Sequence, residues 1–139
     1  MVGAAQTILV VDDDPGFRDL VAEVLAEEGY RPLVAAPADA LAFAAREPPA
    51  LVLLDARMPG IDGPELCRRL RAWQPTRAVP IIFVTGLPRD HLAPQLAGCE
   101  PWWFLAKPCS LDDLLGAVRR HLGPSGGVIP ESPGIGADR

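Results

Sequence analysis

Four short apolar runs punctuate the chain: Ile8 to Val11, Leu51 to Leu54, Ile81 to Val84 and Trp102 to Ala106. Each is closed or directly followed by a polar residue, respectively Asp12 with Asp13, Asp55, Thr85 and Lys107. The segments between them repeat their apolar residues at the helical period. Strand, helix, strand, repeated, requires right-handed crossovers and a parallel sheet. In an open parallel sheet, ligands sit outside the carboxyl ends of the strands, so these five polar side chains are expected to gather at one edge.

The intervening elements follow from local signals. Asp14 suits an N-cap and Pro15 the first helical position. Phe17, Leu20, Val21, Val24 and Leu25 then form one apolar face, stopped by Gly29. Arg31 to Ala35 reads as a strand. Its Pro32 lacks a ladder donor, which places the strand at a sheet edge. Residues 38 to 47 are alanine-rich and helical, ended by Pro48 and Pro49. Pro64 opens a helix whose Leu66, Leu70 and Trp73 share a face, and Gln74 and Pro75 close it. Pro88, Pro94 and Pro101 leave room only for a short or broken helix around Arg89 to Ala97. Ser110 and Asp113 make a capping-box-like start. Leu111, Leu114, Leu115, Val118 and Leu122 form the last apolar face before Gly123. The domain is expected over residues 6 to 123. Residues 124 to 139, rich in Gly, Pro and Ser, read as a flexible tail.

Composition narrows the classes. With 139 residues, 49% of them apolar, the chain suffices for one domain with its own core. A net charge of -5 supplies no basic stripe for nucleic acid and disfavours anionic membrane surfaces. Cys67, Cys99 and Cys109 are an odd number without C-x-x-C spacing, as expected of buried or idle thiols in a reducing compartment. There is no basic n-region, and the first apolar run stops at three aspartates, so neither a signal peptide nor a membrane span is expected and the location reads as cytoplasmic. His91 and His121 are too isolated to form a ligand set or a general-base pair.

Three carboxylates converging on one spot repel, so either a pKa rises or a cation sits among them. Mg²⁺ takes oxygen ligands and binds one or two protein carboxylates together with phosphate oxygens. With Asp12, Asp13 and Asp55 ionised, Mg²⁺ and Lys107 bring the local formal charge to zero, and the site can accept an anion. A carboxylate can attack a phosphoryl group to form an acyl phosphate, a reaction that needs chiefly positioning and charge neutralisation. Asp14 is better explained as a helix cap than as a ligand.

Four motifs carry a resemblance: Ile8-Leu-Val-Val-Asp-Asp-Asp-Pro15, Leu53-Leu-Asp55-Ala-Arg-Met-Pro-Gly60, Ile81-Ile-Phe-Val-Thr85-Gly86 and Phe104-Leu-Ala-Lys107-Pro108. Together, in this order, they resemble a receiver domain of the two-component response-regulator family, over residues 6 to 122. The resemblance implies a flavodoxin-like α/β fold: a doubly wound five-stranded parallel sheet of order 2-1-3-4-5 with helices on both faces. It also implies a cis bond between Lys107 and Pro108. It makes Asp55 the phosphoacceptor, and Asp12 and Asp13 the acidic pair holding Mg²⁺ (or Mn²⁺), with the Arg57 backbone carbonyl a further metal ligand. Thr85 and Lys107 would grip the phosphoryl oxygens, and Phe104 would be the switch aromatic.

The implied role is a phosphorylation-dependent signalling switch rather than an enzyme. A sensor histidine kinase or histidine phosphotransfer protein would donate the phosphoryl group, a downstream protein would receive the signal, and phosphorylation could drive homodimerisation. Direct nucleic-acid binding is not expected.

The chain departs from the family pattern in places. Gly86 is the smallest choice at its position. Leu87 and Arg57 stand where family side chains modulate phosphoryl lifetime, Cys109 replaces the usual residue after Lys-Pro, and Gly98 to Phe104 is a longer turn than usual. The Trp102-Trp103-Phe104 run, on an expected edge strand, marks a candidate partner surface, although both indoles could equally serve as core, as could Trp73. Two rival functions fit the sequence less well. A haloacid-dehalogenase-like phosphatase would use Asp12-Asp13-Asp14, Thr85 and Lys107, but leaves Asp55 without a role. Asp112 and Asp113 also lie in a first helical turn rather than in a late acidic motif. The other rival is a receiver regulating an attached DNA-binding domain, for which the residues after Gly123 are too few.

Overall fold

The computed structural model describes residues 5–123, so the tail expected over 124–139 lies outside the described residues. Five strands, β1 (Thr7–Val11), β2 (Arg31–Ala35), β3 (Leu51–Leu54), β4 (Ile81–Thr85) and β5 (Trp103–Ala106), alternate with five helices. These are α1 (Pro15–Glu27), α2 (Ala40–Arg46), α3 (Gly63–Ala72), α4 (Arg89–Leu92) and α5 (Leu111–Leu122). The sheet is wholly parallel in the order β2-β1-β3-β4-β5. Its centre and edges agree with the sequence. β1, β3 and β4, apolar but for Thr7 and Thr85 at their ends, are flanked on both sides, and β2 takes an edge where the missing Pro32 donor faces no ladder.

Strand alternation divides the core in two. Leu9, Val11, Val52, Leu54, Ile81 and Phe83 pack with Ala40, Ala44, Leu66, Leu70 and Leu92 from α2, α3 and α4. Ile8, Val10, Leu51, Leu53, Ile82 and Val84 pack with Val21 and Leu25 of α1 and with Leu114, Leu115, Val118 and Leu122 of α5. Each of the Val, Leu, Ile and Phe side chains contributes about 1.5–3 kcal/mol relative to exposure, which holds the helices against the sheet and the loop ends in register.

Caps set the helix starts. The Asp14 side chain accepts from Gly16 N, Asp62 from Glu65 N and Ser110 from Asp113 N, and Pro15 and Pro64 stand in the first turns of their helices. Gly29 (φ 93°) and Gly123 (φ 70°) take the left-handed backbone that ends α1 and α5. The proline-limited fourth helix is one turn of α followed by a 3₁₀ turn, Ala93–Gln95. The Lys107–Pro108 bond is cis as expected, and Glu100–Pro101 is cis as well.

Two apolar assignments are corrected. Leu20 is 47% exposed. At 100° per residue it lies about 120° from the midpoint of the buried Val21 and Leu25, at the rim of the stripe. Trp73 is 38% exposed because α3 stops at Ala72 and the extended Trp73 backbone carries the ring off the Leu66–Leu70 face. Trp102, 5% exposed, is core, with the Arg89 guanidinium 5.1 Å from its ring centroid. Trp103 is half-buried, edge-on to His121 at 4.3 Å and 72°.

One buried cation organises the far end of α3. The Arg71 guanidinium donates to the carbonyls of Cys99 (3.0 Å), Arg77 (3.0 Å), Val79 (2.6 Å) and Pro101 (2.5 Å). Four carbonyl dipoles replace its lost hydration and join α3 to the segments preceding β4 and β5. Cys67 and Cys99 are buried free thiols, and Cys109 is half-buried. Among the described residues, no helix is long and apolar enough to cross a membrane.

Candidate functional site

The polar residues that end the strands meet as the topology requires. Asp12 follows β1 and Asp55 follows β3. The Asp55 N–H continues the ladder to the Val11 carbonyl at 3.1 Å, so the two carboxylates issue side by side. Both are buried, whereas Asp13 is exposed. Carboxylate oxygens of Asp12, Asp13 and Asp55 all lie within 4.8 Å of one another. Asp14 turns away to cap α1.

Lys107 supplies the balancing charge. β4 and β5 are registered with Thr85 opposite Ala106, and the Lys107 N–H donates to the Thr85 carbonyl at 2.9 Å. From there its Nζ reaches Asp12 Oδ2 at 2.8 Å and Asp55 Oδ2 at 3.6 Å, with the side chain only 25% exposed. Burial works against the ammonium, but the Asp12 hydrogen bond and the Asp55 and Asp12 charges outweigh it, and the Lys107 pKa is raised.

Backbone donors fix the carboxylates. Asp12 Oδ1 accepts from Asp14 N at 2.9 Å, and Asp55 Oδ1 accepts from Arg57 N at 3.3 Å. Arg57 therefore meets the phosphoacceptor candidate through its N–H; its carbonyl is the atom the resemblance assigned to a metal. Thr85 is 1% exposed, and its hydroxyl accepts from Leu87 N at 3.2 Å, a short turn that holds the oxygen at the strand end. Phe104 sits apart from the acidic group. It is half-buried on β5, registered with Phe83 of β4 and packed against the α3 and α4 side of the core.

Three further residues belong to the site. Gly63 opens α3 directly beneath Asp55, and its N–H donates to the Ala56 carbonyl at 3.0 Å. A Cβ there would stand 2.3 Å from the Asp55 carbonyl oxygen and 2.7 Å from Ala56 Cα, so only glycine permits this approach. Arg18 Nη1 donates to the Asp12 carbonyl at 3.1 Å. The Phe17 ring centroid lies 4.2 Å from Lys107 Nζ. Helical period accounts for Phe17 only as an apolar face residue. The Asp62-Gly63 pair before a helix start was the one local signal for the glycine.

Three clustered carboxylates against one ammonium leave a formal charge of about -2 and a set of hard oxygen donors. A divalent ion such as Mg²⁺ fits both requirements, and soft-ligand metals do not.

A family model described as response regulator receiver domain matches residues 8–119. The chain is 33% identical over 118 residues to sporulation initiation phosphotransferase F of Bacillus subtilis (strain 168), covering 84% of this chain and 94% of that protein. It is 36% identical over 134 residues to response regulator MprA of Mycobacterium sp. (strain KMS), covering 92% of this chain; it spans only 56% of that protein's length. Among solved structures it resembles the receiver domain of a sensor histidine kinase from Pseudomonas aeruginosa PAO1, which holds a magnesium ion in its active-site cleft. The TM-score is 0.72 and the identity 31%, over 86% of this chain and 99% of that one.

Proposed function

The chain belongs to the response regulator receiver domain family, which works in phosphorylation-based signalling, and from that premise we propose that Asp55 is its phosphoacceptor. The observation that carries the proposal is the grouping of Asp12, Asp13 and Asp55 within 4.8 Å, with Lys107 Nζ reaching two of them.

In the proposed transfer an Asp55 carboxylate oxygen forms a bond to phosphorus as the donor's P–N bond breaks. The donor imidazole departs as the neutral ring once it has gained a proton, and an aspartyl phosphate remains. The donor is a phosphohistidine on a sensor histidine kinase or histidine phosphotransfer protein. Asp12, Asp13, Asp55 and the Arg57 carbonyl would hold Mg²⁺ or Mn²⁺, which supplies charge neutralisation for the phosphoryl oxygens. Lys107 swings from Asp12 toward the new phosphoryl oxygens, and the Thr85 hydroxyl leaves the Leu87 N–H to donate to them. Neither contact has its full value before charge accumulates there.

Movement of Thr85 and of the Phe104 ring would then bias the α4, β5 and α5 surface toward a downstream protein or a second copy of the chain. The protein is thus a cytosolic phosphorylation switch over residues 6–123 rather than an enzyme turning over a substrate. Incubation with acetyl phosphate and Mg²⁺ should add one phosphoryl mass that chelation prevents. An Asp55→Asn variant that gains the base-labile adduct at the wild-type level would overturn the assignment. Lys107→Ala should blunt the amide NMR response to beryllofluoride across residues 85–107, and an unaltered response would remove Lys107 from the switch.

A further inference from the structure

We infer that Phe17 is a positioning residue for Lys107: its ring face holds the ammonium against Asp12 and Asp55 and stands in for water on the remaining side. The inference rests on the reading of Asp55 as phosphoacceptor and adds a residue to that machinery. Phe17 is the third residue of α1, whose start is fixed by the Asp14 cap and Pro15 in the loop that also presents Asp12 and Asp13. The ring is therefore placed by the acidic loop itself.

An ammonium has three donors. In this site Nζ lies 2.8 Å from Asp12 Oδ2, 3.6 Å from Asp55 Oδ2 and 4.2 Å from the Phe17 centroid, so carboxylates occupy one side and an aromatic face another. The face of the ring carries the negative end of its quadrupole and attracts the cation, most strongly where water is scarce. The Lys107 side chain is three-quarters enclosed.

Without this contact, a flexible four-carbon stem would let the ammonium leave the acidic group for solvent. With it, the charge stays within a short swing of Asp55. The helix needs Phe17 less for packing, because the fully buried positions of α1 are Val21 and Leu25, while Phe17 is half-buried.

The test compares Phe17→Leu, which keeps apolar bulk without the quadrupole, with Phe17→Tyr, which keeps the ring. Phosphorylation of the full chain by acetyl phosphate in Mg²⁺ is followed over a range of donor concentrations. Ring-current shifts of the Lys107 side-chain protons are read by NMR. Phe17→Leu should lower the maximal rate about two- to fivefold, the range a partly exposed cation–π contact supplies. The donor concentration for half-maximal rate should hardly change, the Lys107 shifts should move toward unperturbed values, and Phe17→Tyr should restore both readouts. Should the leucine variant fail to fold, Phe17→Met makes the same comparison. Leucine at wild-type rate, or tyrosine as slow as leucine, would overturn the inference. Loss of adduct in the wild type itself would instead overturn the phosphoacceptor reading.

Discussion

Replacing Gly63 by alanine should disable the site by moving its backbone, and the structure gives the size of the effect. The new Cβ would lie 2.3 Å from the Asp55 carbonyl oxygen, 2.7 Å from Ala56 Cα and 3.1 Å from the Asp55 carbonyl carbon. All three are backbone atoms that no side-chain rotation can clear. Restoring ordinary contact requires a shift of about 1 Å between the start of α3 and the end of β3. Overpacking of this kind costs about 1–3 kcal/mol, which corresponds to a fall in Tm of about 4–12 °C. A displacement of about 1 Å at Asp55, the proposed nucleophile, can cost about a hundredfold in rate.

Gly116 is the matched control. It lies within α5, and a Cβ there would meet only the Arg120 Nη1 at 3.8 Å. Gly116→Ala should therefore stabilise by about 0.5–1 kcal/mol through reduced unfolded-chain entropy. Thermal unfolding followed by circular dichroism, with acetyl phosphate labelling followed by intact mass, reads both variants. Gly63→Ala matching Gly116→Ala in Tm and rate would refute the steric argument.

Three other measurements probe different parts of the molecule. Arg71→Met leaves four carbonyls without their common donor and should cost about 3–5 kcal/mol in urea unfolding; a loss under about 1 kcal/mol would show the hub to be dispensable. Burial, helped by Arg120, pushes the His121 imidazole down to about 4. The unfolded chain then binds a proton that the fold refuses, so the His121 contribution to stability is complete above about pH 6.5 and falls as the pH drops toward 4. His121→Phe should flatten that slope in urea midpoints, and an identical slope would exclude the ring. Asp13→Asn removes one of three mutually repelling carboxylates. It should raise Tm in chelator while suppressing the rise with Mg²⁺, which for the wild type at a hundredfold its Kd amounts to about 2.7 kcal/mol; an undiminished Mg²⁺ response would take Asp13 out of the ligand set.

The order of elements, the edge position of β2, the caps at Asp14 and Ser110 and the broken α4 were all legible along the chain. Each depends on chemistry within a few residues: a missing proline donor, a side-chain oxygen over the next amides, a short apolar run, or the helical period of 3.6. The candidate acids were legible for a related reason. In a parallel sheet every strand ends at the same edge, so a polar residue closing an apolar run is assigned a place before any contact is known.

Contacts across the fold were decided only in three dimensions. Lys107 bonds to an aspartate 95 residues away, and Arg71 collects carbonyls from two loops that no local pattern joins to α3. Trp73 fits the helical stripe of Leu66 and Leu70 as well as they do. Its exposure reflects where α3 stops, which the stripe alone does not encode. Gly63 and Phe17 make the same point within the site. Period and propensity describe what an element offers to its surroundings, whereas a carbonyl 2.3 Å from a would-be Cβ or an ammonium over a ring exists only once two elements have packed.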